Sequence, residues 1–383
     1  MPGKPFNYLL LKIATRCNID CTYCYWFRDE TVYDKPKKLL REAQSALFLK
    51  LVEHIRAHEL SEFYILLHGG EPLLYGKARL REFCAGIENV AQETGCTIHL
   101  SLTTNGILID EEWAAILRDN RIDVTVSIDG PEAIHDKHRI DFKGLGTLSA
   151  VEAGLNQLRR VGISPGVLAV CDPPSEPLKV LDYFVNVLGL KKFDILVPDS
   201  THEDQPHSIE PYFKARFDAW YPALATDGVD IRYLRSMMKG LLGGVSKVES
   251  IGYGPINTVC MLTDGSLEPL DVIRITGNGA TATNMNIFDH SFEDMKSCPV
   301  WREAYDASMR PCAACLSCDY VQACGGGFLP HRYSAERGYD NPSVYCQDIK
   351  GLLHHIWDRI APEVTIQSQD GSRKRLLSEA FDA

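Results

Sequence analysis

Cys17, Cys21 and Cys24 lie in the run ATRCNIDCTYCYWF, directly after the apolar segment FNYLLLKI. Thiolate is the ligand that iron–sulfur clusters take, and three thiolates hold three irons of a four-iron cluster. An ordinary four-iron ferredoxin site draws on a fourth cysteine close by. Here the next one is Cys84. The spacing therefore points to a cluster whose fourth iron is open to a small molecule. The competing reading is a zinc site, which normally uses C-x2-C with a second pair downstream.

A second group crowds the last third of the chain: Cys312, Cys315, Cys318, Cys324 and, after a gap, Cys346. Four thiolates with one close pair and two more distant members close a site completely, as tetrahedral zinc or as a four-iron cluster. The run CGGGFLPHRYS supplies glycines that let backbone amides approach cluster sulfurs. Cys312 forms another C-x2-C with Cys315 and is either a spare thiol or a replacement for one of those ligands.

Polar motifs sit where apolar runs end. FYILLH stops at Gly69-Gly70-Glu71-Pro72, IHLSL at Thr103-Thr104-Asn105-Gly106, and DVTVSIDGP carries Ser127 and Asp129, followed by IHDKHR with Arg139. Two glycines allow close backbone approach, and a carboxylate there accepts a charge-assisted hydrogen bond from an ammonium. The elements that position these motifs alternate from residue 7 to about 225. Strands are expected at 7–13, 62–68, 97–103, 122–128, 163–170 and 193–197. REAQSALFLKLVEHIRAH, LREFCAGIENVAQET and SAVEAGLNQLRRVG have helical length and pattern. Strand–helix alternation predicts an α/β fold with a parallel sheet, in which sites collect where strands end.

Taken in order, these motifs resemble the radical S-adenosylmethionine enzymes. That signature is this cysteine spacing with an aromatic residue, here Tyr23, just before the third cysteine. The resemblance implies a partial (β/α)6 TIM-type barrel, open at one side to admit a peptide. It implies that the open iron chelates S-adenosylmethionine and that a 5′-deoxyadenosyl radical takes a substrate hydrogen. It places Gly69, Gly70 and Glu71 at the cofactor's amino group and Ser127 and Arg139 at its ribose and carboxylate. Tyr23 and Asn105 join them at the cofactor.

The C-terminal intervals resemble the SPASM extension of peptide- and protein-modifying members, with Cys315, Cys318, Cys324 and Cys346 matching the ligands of one auxiliary four-iron cluster. Two expected cysteines are absent: Phe328 stands four residues after Cys324, and Leu270 follows Gly265 in the hairpin TDGSLEPLDVIRITG. One auxiliary cluster is therefore expected, with Cys260 the only cysteine left near that hairpin. By the same resemblance, Asp271 inherits the position of a base; the alternatives are pairing to Arg274 or solvation. Cys171, after GVLAV, is a hydrogen-atom donor or a small buried residue, Cys84 and Cys96 read as structural, and His202, Glu203 and Asp204 belong to a substrate-facing or merely solvated loop.

The expected organisation is a barrel over 1–228, a SPASM-like domain with bridging helices over 229–360 and a polar tail over 361–383. The chain of 383 residues is 45% hydrophobic and 24% charged, an ordinary globular composition. A formal charge of −11 argues against general nucleic-acid binding, and no apolar run has the length to cross a bilayer. A cytoplasmic setting follows by default, where thirteen cysteines read as metal ligands rather than disulfides. The leading expectation is a maturase that installs an oxidative side-chain crosslink, cyclophane-like, in a ribosomally made precursor peptide. The partners are that peptide or a protein substrate and an external flavodoxin- or ferredoxin-type electron donor. The barrel begins within ten residues, so leader recognition falls to the barrel, the extension or a separate protein. The competing functions are formylglycine formation in a sulfatase, peptide epimerisation, and a non-catalytic iron–sulfur or zinc protein.

Overall fold

The computed structural model describes residues 4–246, 248–254 and 256–369. Its first half runs β1 (Tyr8–Ala14), α1 (Arg41–Ala57), β2 (Glu62–Gly69), α2 (Lys77–Thr94), β3 (Thr97–Thr104), α3 (Glu111–Asp119), β4 (Asp123–Ser127) and α4 (Leu148–Arg160). Next come β5 (Gly166–Val170), β6 (Lys192–Leu196), α5 (Glu210–Ala219) and α6 (Arg232–Leu241). The chain then continues through β7 (Val259–Met261), β8 (Ser266–Glu268), β9 (Met285–Asn286), α7 (Pro299–Met309) and α8 (Cys346–Gln369). The six expected strands are β1 to β6, and the class is α/β. β5 starts later than expected because Ile163 N–H still closes the α4 terminus onto Leu158 O, and Pro165 has no N–H to offer a ladder. Of the expected tail, residues 370–383 lie outside the described residues.

Two compact units form. The first comprises Met1–Ile128, His135–Val167 and Asn257–Tyr305. Within it β1, β2, β3 and β4 lie side by side and parallel, with Leu9 opposite Ile65, Ile65 opposite Leu100 and Leu102 opposite Val124. On the other edge of β1, β7 pairs parallel, with Leu10 opposite Cys260, and β8 and β9 follow antiparallel. β1 is buried from Leu9 through Ala14, as a strand covered on both faces must be. Lys12 is buried with it, at 0% exposure. α1 presents Ala43, Leu47, Leu51 and Ile55 to the core, a helical stripe, and the Asp110 side chain caps α3 by accepting from Trp113 N.

The second unit comprises Asp129–Ile134, Leu168–Ile256 and Asp306–Ala383. In it β6 pairs with the two-residue strand Asp230–Ile231. Asp348 on α8 caps α5, its Oδ1 accepting from Ser208 Oγ, from Ile209 N at 3.0 Å and from Glu210 N at 3.1 Å. The buried Arg332 guanidinium donates to the carbonyls of Ala307, Arg310, Tyr339 and Asn341 and so gathers the cysteine-rich segment. Among the described residues no helix is long and apolar enough to cross a membrane.

Candidate active site and cysteine centres

In the first unit the end of β1 runs straight into the Cys17–Cys24 loop, and the neighbouring strand ends fasten that loop. Gly70 N donates to Ala14 O at 3.0 Å and Glu71 N to Arg16 O at 2.9 Å. A Cβ on Gly69 would meet Ala14 O at 2.0 Å, and one on Gly70 would meet Arg16 O at 2.5 Å. The two glycines thus let the β2 end lie against the backbone that leads to Cys17. The Glu71 carboxylate, fully buried, accepts from Leu73 N at 2.9 Å, Thr104 Oγ1 at 2.8 Å and Asn105 N at 2.8 Å. Burial pushes its pKa up to about 7, against the pull of those three donors. It ties the β2 end to the β3 end.

Asn105 carries the link onward. Its Nδ2 donates to Asn18 Oδ1 at 2.8 Å and reaches Cys17 Sγ at 3.7 Å. Cys21 forms a backbone ladder with Arg139, whose Nη1 lies 3.9 Å from Cys21 Sγ and whose guanidinium sits 5.5 Å from the Tyr23 ring centre. Thr22 N donates to His138 O at 3.0 Å. Asp136 caps α4 through Thr147 N and Leu148 N, which fixes the stretch carrying Arg139. Ser127 is half-buried at the end of β4. The structure thus gathers Cys17, Cys21, Cys24, Tyr23, Glu71, Asn105 and Arg139 around one loop.

The donor set fits an iron–sulfur cluster. Cys17, Cys21 and Cys24 form no disulfide and are half-buried. Burial pushes the Cys17 thiol up to about 12, and the neighbouring Cys21, Cys24 and Glu71 push the same way. Three thiolates held together therefore need a multivalent cation, which a cluster supplies. Backbone amides of Ile19, Trp26 and Phe27 favour the Cys17 and Cys24 thiolates.

A second group in this unit was only partly legible. Asp271 is buried and faces Lys12, with Tyr25 Oη donating to its Oδ2 at 2.6 Å. It is neither solvated nor paired to Arg274, the alternatives read from sequence. Arg274 is engaged by Asp29 at 2.8 Å and Glu268 at 2.6 Å. Lys12 Nζ also lies 2.9 Å from His68 Nδ1 and 3.1 Å from Tyr25 Oη. Lys12 and His68 escaped the sequence reading, although a lysine inside YLLLKIA, otherwise wholly apolar, is the signal that was there. Leu270 is buried at 3% exposure, and Cys260 packs at 0% with Leu10, Trp26, Val32 and Leu262.

In the second unit, Cys315, Cys318, Cys324 and Cys346 line one cavity of about 170 Å³, with Gly326, Ser343 and Lys350 among its other walls. Burial pushes the Cys324 thiol up to about 12, while the amides of Gly326 and Gly327 favour its thiolate. Gly325, Gly326 and Gly327 all take positive φ, at 66°, 92° and 80°, which an L-residue rarely adopts. Cys312 is outside the cavity walls, with its Sγ 3.6 Å from that of Cys315. Cys171 is buried, its thiol pushed up by burial, near Arg216 and Tyr212. The 202–204 loop is bound rather than free: His202 N donates to Tyr333 O, and Glu203 Oε1 accepts from Ala335 N.

Residues 11–173 match the Radical SAM superfamily. The chain is a radical SAM enzyme with a C-terminal extension. Its cofactors are S-adenosylmethionine and four-iron clusters. This radical SAM enzyme is 26% identical to a cysteine-type anaerobic sulfatase-maturating enzyme of Clostridium perfringens, over 93% of this chain and 97% of that one. A serine-type anaerobic sulfatase-maturating enzyme of Klebsiella aerogenes is 32% identical over 43% of this chain and 40% of its own. The solved structure of native anSMEcpe with bound AdoMet superposes with a TM-score of 0.80 at 26% identity, covering 94% of this chain and 99% of that one. A further structure of native anSMEcpe, with AdoMet and the Cp18Cys peptide, gives 0.81 at 24% identity, covering 94% and 98%.

Proposed function

We propose that this enzyme oxidises a side chain of a peptide or protein substrate. Cys17, Cys21 and Cys24 hold the cluster, and Ser127, Arg139, Asn105, Tyr23 and the Gly69–Glu71 turn frame S-adenosylmethionine. When bound and reduced, that pair supplies a 5′-deoxyadenosyl radical that removes a hydrogen atom. The observation carrying this reading is the loop of three thiols with no fourth cysteine near it in the sequence, braced by Glu71 and Asn105. Glu71 has three partners already, so its part is to hold the turn whose backbone meets the cofactor. Cys315, Cys318, Cys324 and Cys346, sharing one cavity, would hold one auxiliary cluster, which would supply an acceptor or relay for an electron. Asp271 accepts the proton that leaves the oxidised side chain.

The substrate class rests on similarity along almost the whole chain to sulfatase-maturating enzymes, which favours oxidation of a cysteine or serine to formylglycine. Crosslinking of side chains within a precursor peptide is the second reading. Leu270 and Phe328 favour it, since both stand where the resemblance calls for cysteines. Anaerobically reconstituted enzyme, S-adenosylmethionine, a strong reductant and a sulfatase-derived cysteine peptide make the test. Formylglycine, captured by a hydrazide, with 5′-deoxyadenosine formed in step supports the first reading. A ribosomal precursor peptide lighter by two hydrogens and unreactive to hydrazide supports the second. Intact clusters that never yield 5′-deoxyadenosine would sink both.

A further inference from the structure

The buried Lys12 ammonium has three protons and three acceptors: Asp271 Oδ2, His68 Nδ1 at 2.9 Å and Tyr25 Oη at 3.1 Å. Its charge also lies 4.3 Å from the Trp26 ring centre. An ammonium only donates, so His68 Nδ1 is the accepting nitrogen and the ring proton sits on Nε2. Tyr25 then uses its own proton toward Asp271 Oδ2 at 2.6 Å. Both donors converge on Oδ2, while Oδ1 receives no hydrogen bond from any described residue.

We propose that Lys12 is a positioning residue for the reaction: from β1 it holds Asp271 as an oriented carboxylate whose Oδ1 is left to accept the substrate's proton. The inference rests on the proposed role of Asp271 as base. Without a countercharge, a buried carboxyl is pushed toward its neutral form, and a neutral carboxyl cannot take a proton. The groups facing Asp271 are Lys12 on β1, His68 on β2, Tyr25 in the cysteine loop, Cys260 on β7, Glu268 on β8, and Arg274. His68 is held neutral, its pKa lowered to about 3 by burial and by Lys12. Arg274 is already engaged by Asp29 and Glu268. Lys12 is therefore the cation that keeps Asp271 well below the usual carboxylate range.

The test compares Lys12→Met, Lys12→Gln and Asp271→Asn in the reconstituted holoenzyme with the sulfatase-derived cysteine peptide, between pH 5.5 and 8. The readout is product per 5′-deoxyadenosine. Wild type is expected to be flat across this range. Lys12→Met is expected to fall about tenfold at pH 6 and to recover as pH rises, because its Asp271 must first lose a proton. Lys12→Gln, which keeps hydrogen bonds without charge, is expected to show the same slope; it also serves if Lys12→Met does not load iron. A flat, wild-type ratio in the Lys12 variants overturns the proposal. If Asp271→Asn is also normal, the base reading falls as well.

Melting temperature gives an arm that needs no turnover. Lys12→Met is expected to gain on wild type as pH drops from 8 to 5.5, since its unpaired buried carboxyl takes up a proton. Adding Asp271→Asn is expected to abolish that gain. Parallel melting curves for wild type and Lys12→Met would overturn the proposal even if the peptide is not a substrate.

Discussion

Glu71 shows how a residue can serve a cofactor through its neighbours. Its carboxylate receives three donors in a buried site, and burial still lifts its pKa to about 7. In Glu71→Gln one oxygen becomes an NH2 group, so an N–H would face either Asn105 N–H or the Leu73 and Thr104 donors. Leaving such a buried donor unmatched costs ~1–3 kcal/mol. The expected outcome is a lower melting temperature together with weaker S-adenosylmethionine binding, measured on protein with its iron content intact. The pH sense is fixed too. A carboxyl whose folded pKa is raised adds stability as pH falls from about 7 toward the ordinary 4.5. The wild type-minus-Gln difference in melting temperature should therefore widen in favour of wild type over that fall. Asp271 has the opposite sense in the intact pair: Lys12 lowers its pKa, so its contribution is lost only on strong acidification. Asp271→Asn is expected to lower product per 5′-deoxyadenosine by at least about tenfold.

At the scale of elements, the β2 end and the start of the cysteine loop touch with no space for a side chain. Gly70→Ala would set a Cβ 2.5 Å from Arg16 O and 2.9 Å from Cys17 N. The loop must then move away, and iron bound at Cys17, Cys21 and Cys24 is expected to fall while β1 to β4 persist; iron analysis beside far-ultraviolet circular dichroism measures both. The strands and helices here were legible because each declares itself locally, by apolar runs in strands and by the 3.6-residue stripe of α1 and α2. So were the strand-end motifs and Asp271 as a polar residue in a hairpin. Its partners were not, since Tyr25 and Asp271 are 246 residues apart and meet only because β7 returns to pair beside β1. Likewise, the sequence could say that Gly69 and Gly70 permit close approach, but not that the approaching group is the chain's own backbone. Asp348 capping α5 was illegible for the same reason: ordinary helix caps are local, and this one is supplied by α8.

For the whole molecule, the distinguishing question is how many clusters the thirteen cysteines support. Cys84, Cys96, Cys171, Cys260 and Cys298 are buried, and Cys260 packs among apolar side chains with Lys12, Asp271, Glu268 and Arg274 near it. Eight cysteines remain: seven in two sets that fit clusters, and Cys312. Loaded protein should then carry about eight irons, and replacing Cys17, Cys21 and Cys24 together with Ala should leave about four. Replacing Cys312 with Ser should leave the count at about eight, because the other four thiols wall the cavity without it. A Cys312→Ser protein near four irons would make that thiol a ligand and return Cys315, its neighbour at 3.6 Å, to question. A triple variant still near eight would require a further cluster that draws on the buried thiols, which Leu270 and the tight packing of Cys260 oppose. Iron number thus reports directly on chemistry: with one auxiliary centre, one electron acceptor must serve the oxidation of whatever side chain the radical has reached.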